Sequence, residues 1–594
     1  MNKIRLILLM MFGLLLTSCA GDGPMADLVD EPGESEEYAD RQYLSVNIFS
    51  AGNGTRADIG YQDGTQAENQ VSSVRFYFFT VNGMPASISD EPSADGTQGF
   101  KSYYDWRPTG QSLTPDNNNA EKLLQTEIAI TNGGDTDKFP STVIAVLNPT
   151  GLPDGNLSME ELKGILGKYD EPALTTSGNF VMSNSVYVNS EGNKMEEIPI
   201  TDFLAHDEEE ARSNPLDIYV ERAVAKLSLQ IDMNPVGDVD HVYDTGIPYE
   251  IEDAAEENPS YTGNICVKFL GWNLTSTPDQ SYLLKKIDEH WGANLFGNKD
   301  VSWNVAARNR SLWAINPDDV SFSYGNFGLS LPSGLNPDNL PYESSGNVAN
   351  AKTFGEGRKA TSVYLQENAA RAGGEGFCQP FNNTKVIIAA QLVEEDGRTP
   401  IILAEWGFDY YTLKGLKTKI ANESNIYKKS LVGTSQRYVK IKPEDITFVT
   451  GTANNPDIAN SEDKGRYYVY PRLLRQDNVA WAIGDDEDTE ETTYEVANAE
   501  IMRNGEMKIW NNGYTYYYFD INHLGASGFP GYYGIVRNHI YDTRVTAIKS
   551  LGTPVYDPNE TIYPEKPDDE NSRLEVLIRV LNWRIVRKDF KLQW

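Results

Sequence analysis

Apolar and polar side chains alternate with a period of two in segment after segment of this chain, which limits it to folds built from strands. In residues 43–50, Leu44, Val46 and Ile48 alternate with polar residues. Because a strand points successive side chains to opposite faces, this period predicts a β-strand with one buried face. Similar patterns predict strands over 71–80, 142–147, 218–230, 265–272, 385–392, 467–470, 506–521 and 574–580. The predicted fold class is all-β.

Two local signals refine this prediction. Ser158 and Glu161 have the spacing of a capping box ahead of an apolar run, which predicts one short helix over 158–168. Asn512-Gly513 lies between two alternating segments, 508–510 and 514–518, and this dipeptide is typical of a tight β-hairpin turn. We therefore expect a minor helix in the first half and a hairpin in the second.

The length of 594 residues exceeds what one hydrophobic core serves. At ~100–200 residues per domain, we expect two main β domains with long insertions. The Pro-Val-Gly segment after the predicted strand 218–230 suggests a boundary, which gives an N-terminal domain over 57–235 and a C-terminal domain over 236–594. Long loops are expected between about 286 and 376, where Asn, Gly, Ser and Pro are frequent.

The formal charge of −35 makes nucleic acid an unsuitable partner, because a phosphate backbone would be repelled. The five histidines are far apart in the sequence and lack zinc-ligand spacing, and no nucleophile or phosphate-binding motif occurs. The acidic segment 485–491 lacks the glycine and alternating ligands of a calcium loop and is interpreted as a solvated loop. We expect no enzyme activity, no metal and no cofactor. Cys266 and Cys378 could pair in an oxidising compartment, but the sequence does not fix their distance.

Residues 1–18 have the layout of a secretory signal peptide, with Lys3 and Arg5 before the apolar run 6–16. The following residues 16–19, Leu-Thr-Ser-Cys, resemble a bacterial lipobox, in which a peptidase cuts before the cysteine and its sulfur receives a diacylglycerol. Cys19 is therefore the expected lipidation site. An ordinary signal peptide with a chance cysteine is the alternative. Residues 20–40 are rich in Gly, Pro and acidic side chains and are predicted to be an unfolded tether.

The strand 43–50 is followed by a Gly- and Asn-rich segment, 51–58, that contains Arg56. Such a segment is typical of an exposed loop, where an arginine-specific protease would reach the chain. Cutting after Arg56 would separate the leading strand from all that follows. The alternative is a surface loop with an incidental arginine.

The chain ends in a second unusual strand, residues 584–594. Val586, Phe590, Leu592 and Trp594 would share one face of it, with Lys588 as the exception. An apolar strand at a chain end requires a groove, and a copy that had lost its leading strand would offer one. Contacts of this head-to-tail kind do not close, so they produce filaments. The alternative is that 584–594 is the last edge strand of its own domain.

Taken in order, these features resemble the Bacteroidales-type fimbrillin superfamily, whose members build type V pili, and the Mfa-type shaft subunits in particular. The resemblance extends over nearly the whole chain and rests on the lipobox, the strand 43–50, Thr55-Arg56-Ala57 and further segments in order. These further segments are 143–151, 182–185, 220–226, 516–518, 533–541 and 551–554.

The resemblance implies two tandem transthyretin-like β-sandwich domains and export as an outer membrane lipoprotein with an acyl lipid on Cys19. It also implies cleavage between Arg56 and Ala57 by an Arg-specific extracellular protease. The strand carrying Leu44, Val46 and Ile48 would then leave, and residues 584–594 of another copy would take its place by donor-strand exchange. The expected partners are other copies of the chain and related fimbrial subunits, in surface fimbriae that support adhesion and biofilm formation.

Two alternatives remain open from the sequence. The chain would instead be a monomeric surface lipoprotein that binds glycans, with the tyrosines of 514–518 stacking on sugars, although at strand spacing such tyrosines more often pack in a core. The second alternative is an anchor, accessory or tip fimbrillin. The presence of both Arg56 and an apolar tail favours a shaft subunit.

Overall fold

The computed structural model describes these residues: 41–50, 61–65, 67–96, 99–108, 122–131, 136–175, 179–185, 187–188, 194–251, 261–286, 314–325, 327–328, 352–368, 383–407, 409–432, 435–451, 468–484, 490–523, 534–559 and 574–584. Several predicted features lie outside them. These are the signal peptide 1–18, Cys19, Arg56, Ala57, Cys378 and the tail residues Val586, Phe590, Leu592 and Trp594.

The first half of the chain forms one large sheet. The described strands of this part of the chain, most of which belong to that sheet, are β1 (Arg41–Ser50), β2 (Tyr61–Asp63), β3 (Val74–Phe79), β4 (Tyr103–Trp106), β5 (Lys122–Thr131), β6 (Thr142–Leu147), β7 (Leu166–Gly167), β8 (Met182–Asn184), β9 (Tyr187–Val188), β10 (Lys194–Met195), β11 (Ile198–Pro199) and β12 (Leu216–Arg222). The sheet has the order β4-β3-β6-β8-β12-β1-β5, and β11 pairs with β6. Of the other strands, β9 and β10 form a ribbon, β7 pairs with a later strand, and β2 belongs to a sheet of the second half.

The second half contains the remaining described strands. They are β13 (Val224–Ile231), β14 (Val242–Ile251), β15 (Tyr261–Thr275), β16 (Thr277–Pro278), β17 (Ser281–Tyr282), β18 (Phe322–Ser323), β19 (Thr361–Gln366), β20 (Lys385–Val393), β21 (Leu403–Trp406), β22 (Asp409–Tyr411), β23 (Ile426–Val432), β24 (Ser435–Lys440), β25 (Ile446–Gly451), β26 (Tyr468–Leu473), β27 (Trp481–Ile483), β28 (Glu490–Thr492), β29 (Lys508–Trp510), β30 (Tyr514–Asp520), β31 (His539–Ile548), β32 (Thr553–Pro554) and β33 (Leu574–Arg584).

Two five-stranded sheets, built from strands of this half together with β2, pack face to face. One has the order β19-β13-β31-β33-β2 and the other β14-β15-β20-β30-β32. Leu227 and Tyr541 from the first sheet and Ile265 and Ile388 from the second are buried in one hydrophobic cluster between them. The predicted single strand 218–230 is therefore two strands, β12 and β13, which belong to different sheets and meet at the buried Ala223.

A third hydrophobic cluster lies in the segment inserted between the neighbouring strands β20 and β30. It joins strands β21–β29 to two helices and includes Leu416, Ile420, Trp481 and Ile501. The described α-helices are α1 (Met159–Lys163), α2 (Pro172–Thr175), α3 (Glu208–Ser213), α4 (Leu413–Glu423) and α5 (Tyr494–Met502). Among the residues described, no helix is long and apolar enough to cross a membrane.

The structure confirms the all-β prediction and corrects two local ones. Ser158 and Glu161 form the predicted capping box, but α1 ends at Lys163 and not at residue 168. The predicted hairpin at Asn512-Gly513 is wrong, because β29 pairs with β21 while β30 pairs with β20 and β32. The left-handed conformation of these two residues, with φ of 52° and 74°, turns the chain from the inserted segment back into the main sheet.

Candidate functional site

The leading strand β1 lies inside the first sheet, next to its edge strand. It pairs in parallel with β12, where Val46 to Ser50 face Leu216 to Val220, and antiparallel with β5 along almost its whole length. The edge strand β5 follows on its far side. If β1 were withdrawn, β5 and β12 would each present an unpaired row of backbone N–H and C=O groups to the same slot.

The inner face of β1 is part of the hydrophobic core. Leu44, Val46 and Ile48 are fully buried in the cluster that also contains Ile128 from β5 and Ile218 from β12. Burial of such side chains contributes about 1.5–3 kcal/mol each. The slot is therefore both an apolar groove and a two-sided hydrogen-bonding ladder.

The outer face of β1 is buried as well, so the prediction of a single buried face is wrong. Ser45 and Asn47 are covered because the segment that ends in α3 lies against β1. The N–H groups of Tyr43 and Ala205 donate to each other's carbonyl oxygens at 2.9 and 3.0 Å. Among the residues described, Ser45 Oγ and Asn47 Oδ1 have no hydrogen-bond partner. A polar atom buried without a partner costs about 1–3 kcal/mol, which offsets part of the stabilisation from the apolar face of β1.

Strand β2, which resumes the chain after the segment containing Arg56, lies beside the strand that leads into the tail. The backbone of Tyr61 to Asp63 pairs in parallel with that of Asn582 to Arg584 in β33. Strand β33 pairs on its other side with β31. The chain thus passes from β1 in the first sheet to β2 in the second, and β2 lies beside residue 584, where the predicted tail begins. The sequence did not predict this proximity.

The segments 220–226 and 533–541, which carried part of the resemblance, meet at a buried charged seam between the two halves. Arg537 Nε donates to Glu367 Oε2 at 2.7 Å, and its other nitrogens donate to the carbonyl oxygens of Leu283 and Tyr282 at 2.7 and 2.6 Å. Lys285 Nζ lies 3.1 Å from Glu221. The four charged side chains are almost completely buried. Because removing one partner leaves the other charge buried and unpaired, each of these pairs is costly to break.

His539 lies in the same seam, and burial lowers its pKa to about 4. Its Nδ1 is 2.8 Å from the carbonyl oxygen of Arg537. An unfolded histidine, with a pKa near 6.5, binds a proton below that pH while the folded His539 stays neutral until about pH 4. The stability contributed by neutral His539 is therefore complete above pH 6.5 and is lost as the pH falls from 6.5 to 4.

We predict that the free energy of unfolding falls by about 2 kcal/mol more in the wild type than in His539→Gln between pH 7 and pH 5. Urea unfolding at the two pH values measures this difference. His206→Gln, at an exposed position, is the matched control and should follow the wild type. Equal pH dependence of the His539→Gln variant and the wild type would contradict the prediction.

Other candidate ligands and binding groups are placed as follows. His523 and His539, 16 residues apart in the sequence, are in contact, with ring centroids 5.0 Å apart. No group of three possible metal ligands occurs among the residues described. Tyr514 and Tyr516 are buried in β30, as the packing interpretation of these tyrosines predicted. Cys266 is buried, and of the acidic segment only Glu490 and Glu491 are described, in β28.

Residues 508–589 match the family described as major fimbrial subunit protein type IV, fimbrillin, C-terminal. This match, which covers β29 to β33, confirms the resemblance predicted from the sequence. No curated protein shows significant sequence similarity to the chain.

Solved structures that match the chain include a fimbrilin from Porphyromonas gingivalis W83, which is 12% identical with a TM-score of 0.38 over 92% of this chain and 98% of that one. The tip fimbrial protein of Porphyromonas gingivalis is 10% identical, with a TM-score of 0.31 over 91% of this chain and 100% of that one.

Proposed function

From the fimbrillin C-terminal domain at residues 508–589 we propose that this chain is a structural subunit of cell-surface fimbriae, which assembles by exchanging its leading strand for the tail of another copy. The exported precursor is held at the outer membrane by a lipid on Cys19. An Arg-specific extracellular protease cuts between Arg56 and Ala57. The mature subunits then join in fimbriae that support adhesion and biofilm formation.

The observation that carries this proposal is the position of β1, which is the first described strand and fills a slot between β5 and β12. The covalent connection between β1 and the chain that follows is residues 51–60. While that link is intact, β1 rebinds its own slot as an intramolecular partner at high effective concentration. Cutting at Arg56 removes this advantage. The strand then leaves at a rate set by its own contacts, and a competing strand can occupy the slot.

The competing strand in this proposal is the tail that follows β33. Strand β33 ends at Arg584 beside the short edge strand β2, and the predicted tail follows it in the sequence. Four apolar tail side chains inserted into another copy's slot would contribute about 6–12 kcal/mol before ordering costs. Because the slot and the tail belong to different halves of the molecule, each subunit binds the next head to tail and a filament grows.

Trimming the purified chain with an arginine-specific protease tests the proposal. We expect soluble monomer to convert into a ladder of high-molecular-weight species, measured by size-exclusion chromatography and by electrophoresis without heating. Arg56→Ala should stay monomeric under the same treatment. Arg41→Ala is the matched control. It should still form the ladder, because Arg56 can still be cut and a cut at residue 41 alone would leave β1 attached. Trimmed protein that stays monomeric at high concentration with an intact tail would contradict the proposal.

The glycan-binding alternative loses its main support in the described part of the chain. Tyr514 and Tyr516 are buried and Tyr518 is half-buried, so these side chains pack within the protein and do not form an open stacking surface. A shaft role is preferred over an anchor or tip role because the chain combines Arg56 with an apolar tail.

A further inference from the structure

The 3-10 turn Ala67–Asn69, which follows β2, is held by a buried carboxylate. Glu68 Oε1 accepts hydrogen bonds from Lys226 Nζ at 2.7 Å and from the Tyr364 hydroxyl at 2.8 Å. Its Oε2 accepts from the backbone N–H of Thr65 at 2.7 Å. Burial alone would raise the pKa of Glu68, but these hydrogen bonds and the Lys226 charge outweigh it and hold the pKa below 4.5. The side chain is therefore ionised at neutral pH, and its charge is compensated.

A buried arginine holds the same turn from the other side. Arg222 is fully buried, and its guanidinium donates to the carbonyl oxygen of Glu68 at 3.0 and 3.2 Å and to Asn69 Oδ1 at 2.7 Å. It also donates to Asn538 Oδ1 at 3.2 Å. Burial lowers the pKa of Arg222 to about 9, so the side chain remains charged at neutral pH.

These partners come from both halves of the molecule. Arg222 is the last residue of β12 in the first sheet, whereas Lys226 and Tyr364 belong to β13 and β19 in the second. The backbone of β2 pairs with β33, also in the second sheet. Residues 61–70 are therefore fastened to β12, β13, β19 and β33, and these anchoring contacts do not include β1.

We propose that residues 61–70 form a retained clasp, which stays bound to the body when the chain is cut ahead of it and fixes the base of the tail through the pairing of β2 with β33. Its role in assembly rests on the proposed function. On this proposal the two sides of the cut have opposite fates. The upstream strand is held by a sheet slot that another strand can fill, and the downstream segment is held by side chains that no incoming strand replaces.

Glu68 and Arg222 are positioning residues in this proposal, because they act on assembly through the segment that they hold. A merely structural role would weaken the fold equally before and after trimming. The clasp predicts a different dependence. In the uncut chain, residues 61–70 remain covalently linked to β1, which is itself held in its sheet, so we expect loss of Glu68 to have a small effect. In the trimmed chain this link is gone, and Glu68 becomes the main anchor.

Hydrogen exchange of residues 61–70, measured by mass spectrometry before and after trimming at Arg56, tests the clasp. In the wild type we expect trimming to change the exchange rate by less than about threefold, since each tenfold change requires the loss of interactions equivalent to a whole hydrogen bond. In Glu68→Gln, which keeps the size and removes the charge, trimming should accelerate exchange on the order of 100-fold. Glu356→Ala, at an exposed ion pair, is the control and should match the wild type.

Tyr364→Phe provides a second, milder variant in case Glu68→Gln does not fold. It removes one donor to Glu68 and keeps the ring, and trimmed protein should show about tenfold faster exchange in 61–70. Rapid exchange of 61–70 in the trimmed wild type, or unchanged exchange in both trimmed variants, would overturn the clasp. This readout does not require polymerisation. A trimmed wild type that stays monomeric with 61–70 protected would therefore refute the proposed function and leave the clasp supported.

Discussion

Replacing the apolar face of the tail with serine is expected to abolish the ladder formed after trimming, while the same number of changes on the opposite face preserves it. The apolar-face variant carries serine at Val586, Phe590, Leu592 and Trp594. The matched control carries serine at Arg587, Asp589, Lys591 and Gln593. Successive side chains of a strand point to opposite faces, so only the first set enters the apolar slot left by β1.

The expected effect is large, because the four apolar side chains supply about 6–12 kcal/mol of the binding free energy. Even the lower figure corresponds to a loss of affinity of about 10⁴-fold. Both variants should give folded monomers, since β33 keeps its pairing with β31 up to Asn582. Chromatography of the trimmed proteins over a range of concentrations gives the comparison. Equal ladders from the two variants would show that the tail is not the strand that fills the slot.

Replacing Ile48 by alanine is expected to destabilise the precursor monomer without weakening the assembled polymer. Ile48 and Ile218 are register partners on β1 and β12, and both are fully buried. Removal of such a side chain costs about 2–5 kcal/mol. In the polymer β1 has left and β12 remains, so Ile48→Ala should cost stability only in the monomer and Ile218→Ala in both states.

The comparison requires urea unfolding of the uncut monomers and urea dissociation of the purified polymers. Ile218→Ala serves as the matched control, since it removes the same atoms one strand away. A polymer of Ile48→Ala that is weakened as much as that of Ile218→Ala would mean that β1 is still in its slot after assembly.

The sequence was sufficient to find β1 and its inner face but not its neighbours. Alternation specifies which side chains share a face, and it carries no information about which strands lie on either side. It also failed on the outer face, because Ser45 and Asn47 look like solvent-exposed residues and are covered by a segment more than 150 residues away. Burial of a polar face is decided by tertiary packing.

The charged seam and the clasp were missed for a related reason. Charged residues are almost never fully buried unless they are paired, so the sequence alone does not predict the burial of Glu221, Arg222 and Arg537. The partners that make their burial possible, such as Lys285 and Glu367, lie far away in the sequence. The available signal was the pair of adjacent charges, Glu221-Arg222, inside an otherwise apolar stretch of strand.

The hydrophobic cluster in the inserted segment between β20 and β30 was also not predictable from the sequence. Its cluster combines short strands with α4 and α5, and each element alone buries too few side chains to produce a clear pattern. The hairpin predicted at Asn512-Gly513 is wrong because a turn signal does not specify how the flanking strands pair. The dipeptide does form a tight turn, but the strands on its two sides find their partners in different sheets.

The composition of the purified polymer gives the most direct test of whether β1 is a replaceable strand. Native mass spectrometry or mass analysis of gently dissolved ladders shows which chain segments remain in each subunit. We predict subunits that begin at Ala57, with the segment that contains residues 41–56 recovered as a free peptide in an amount equal to the subunits joined. Polymers in which every subunit still holds that segment would contradict strand exchange.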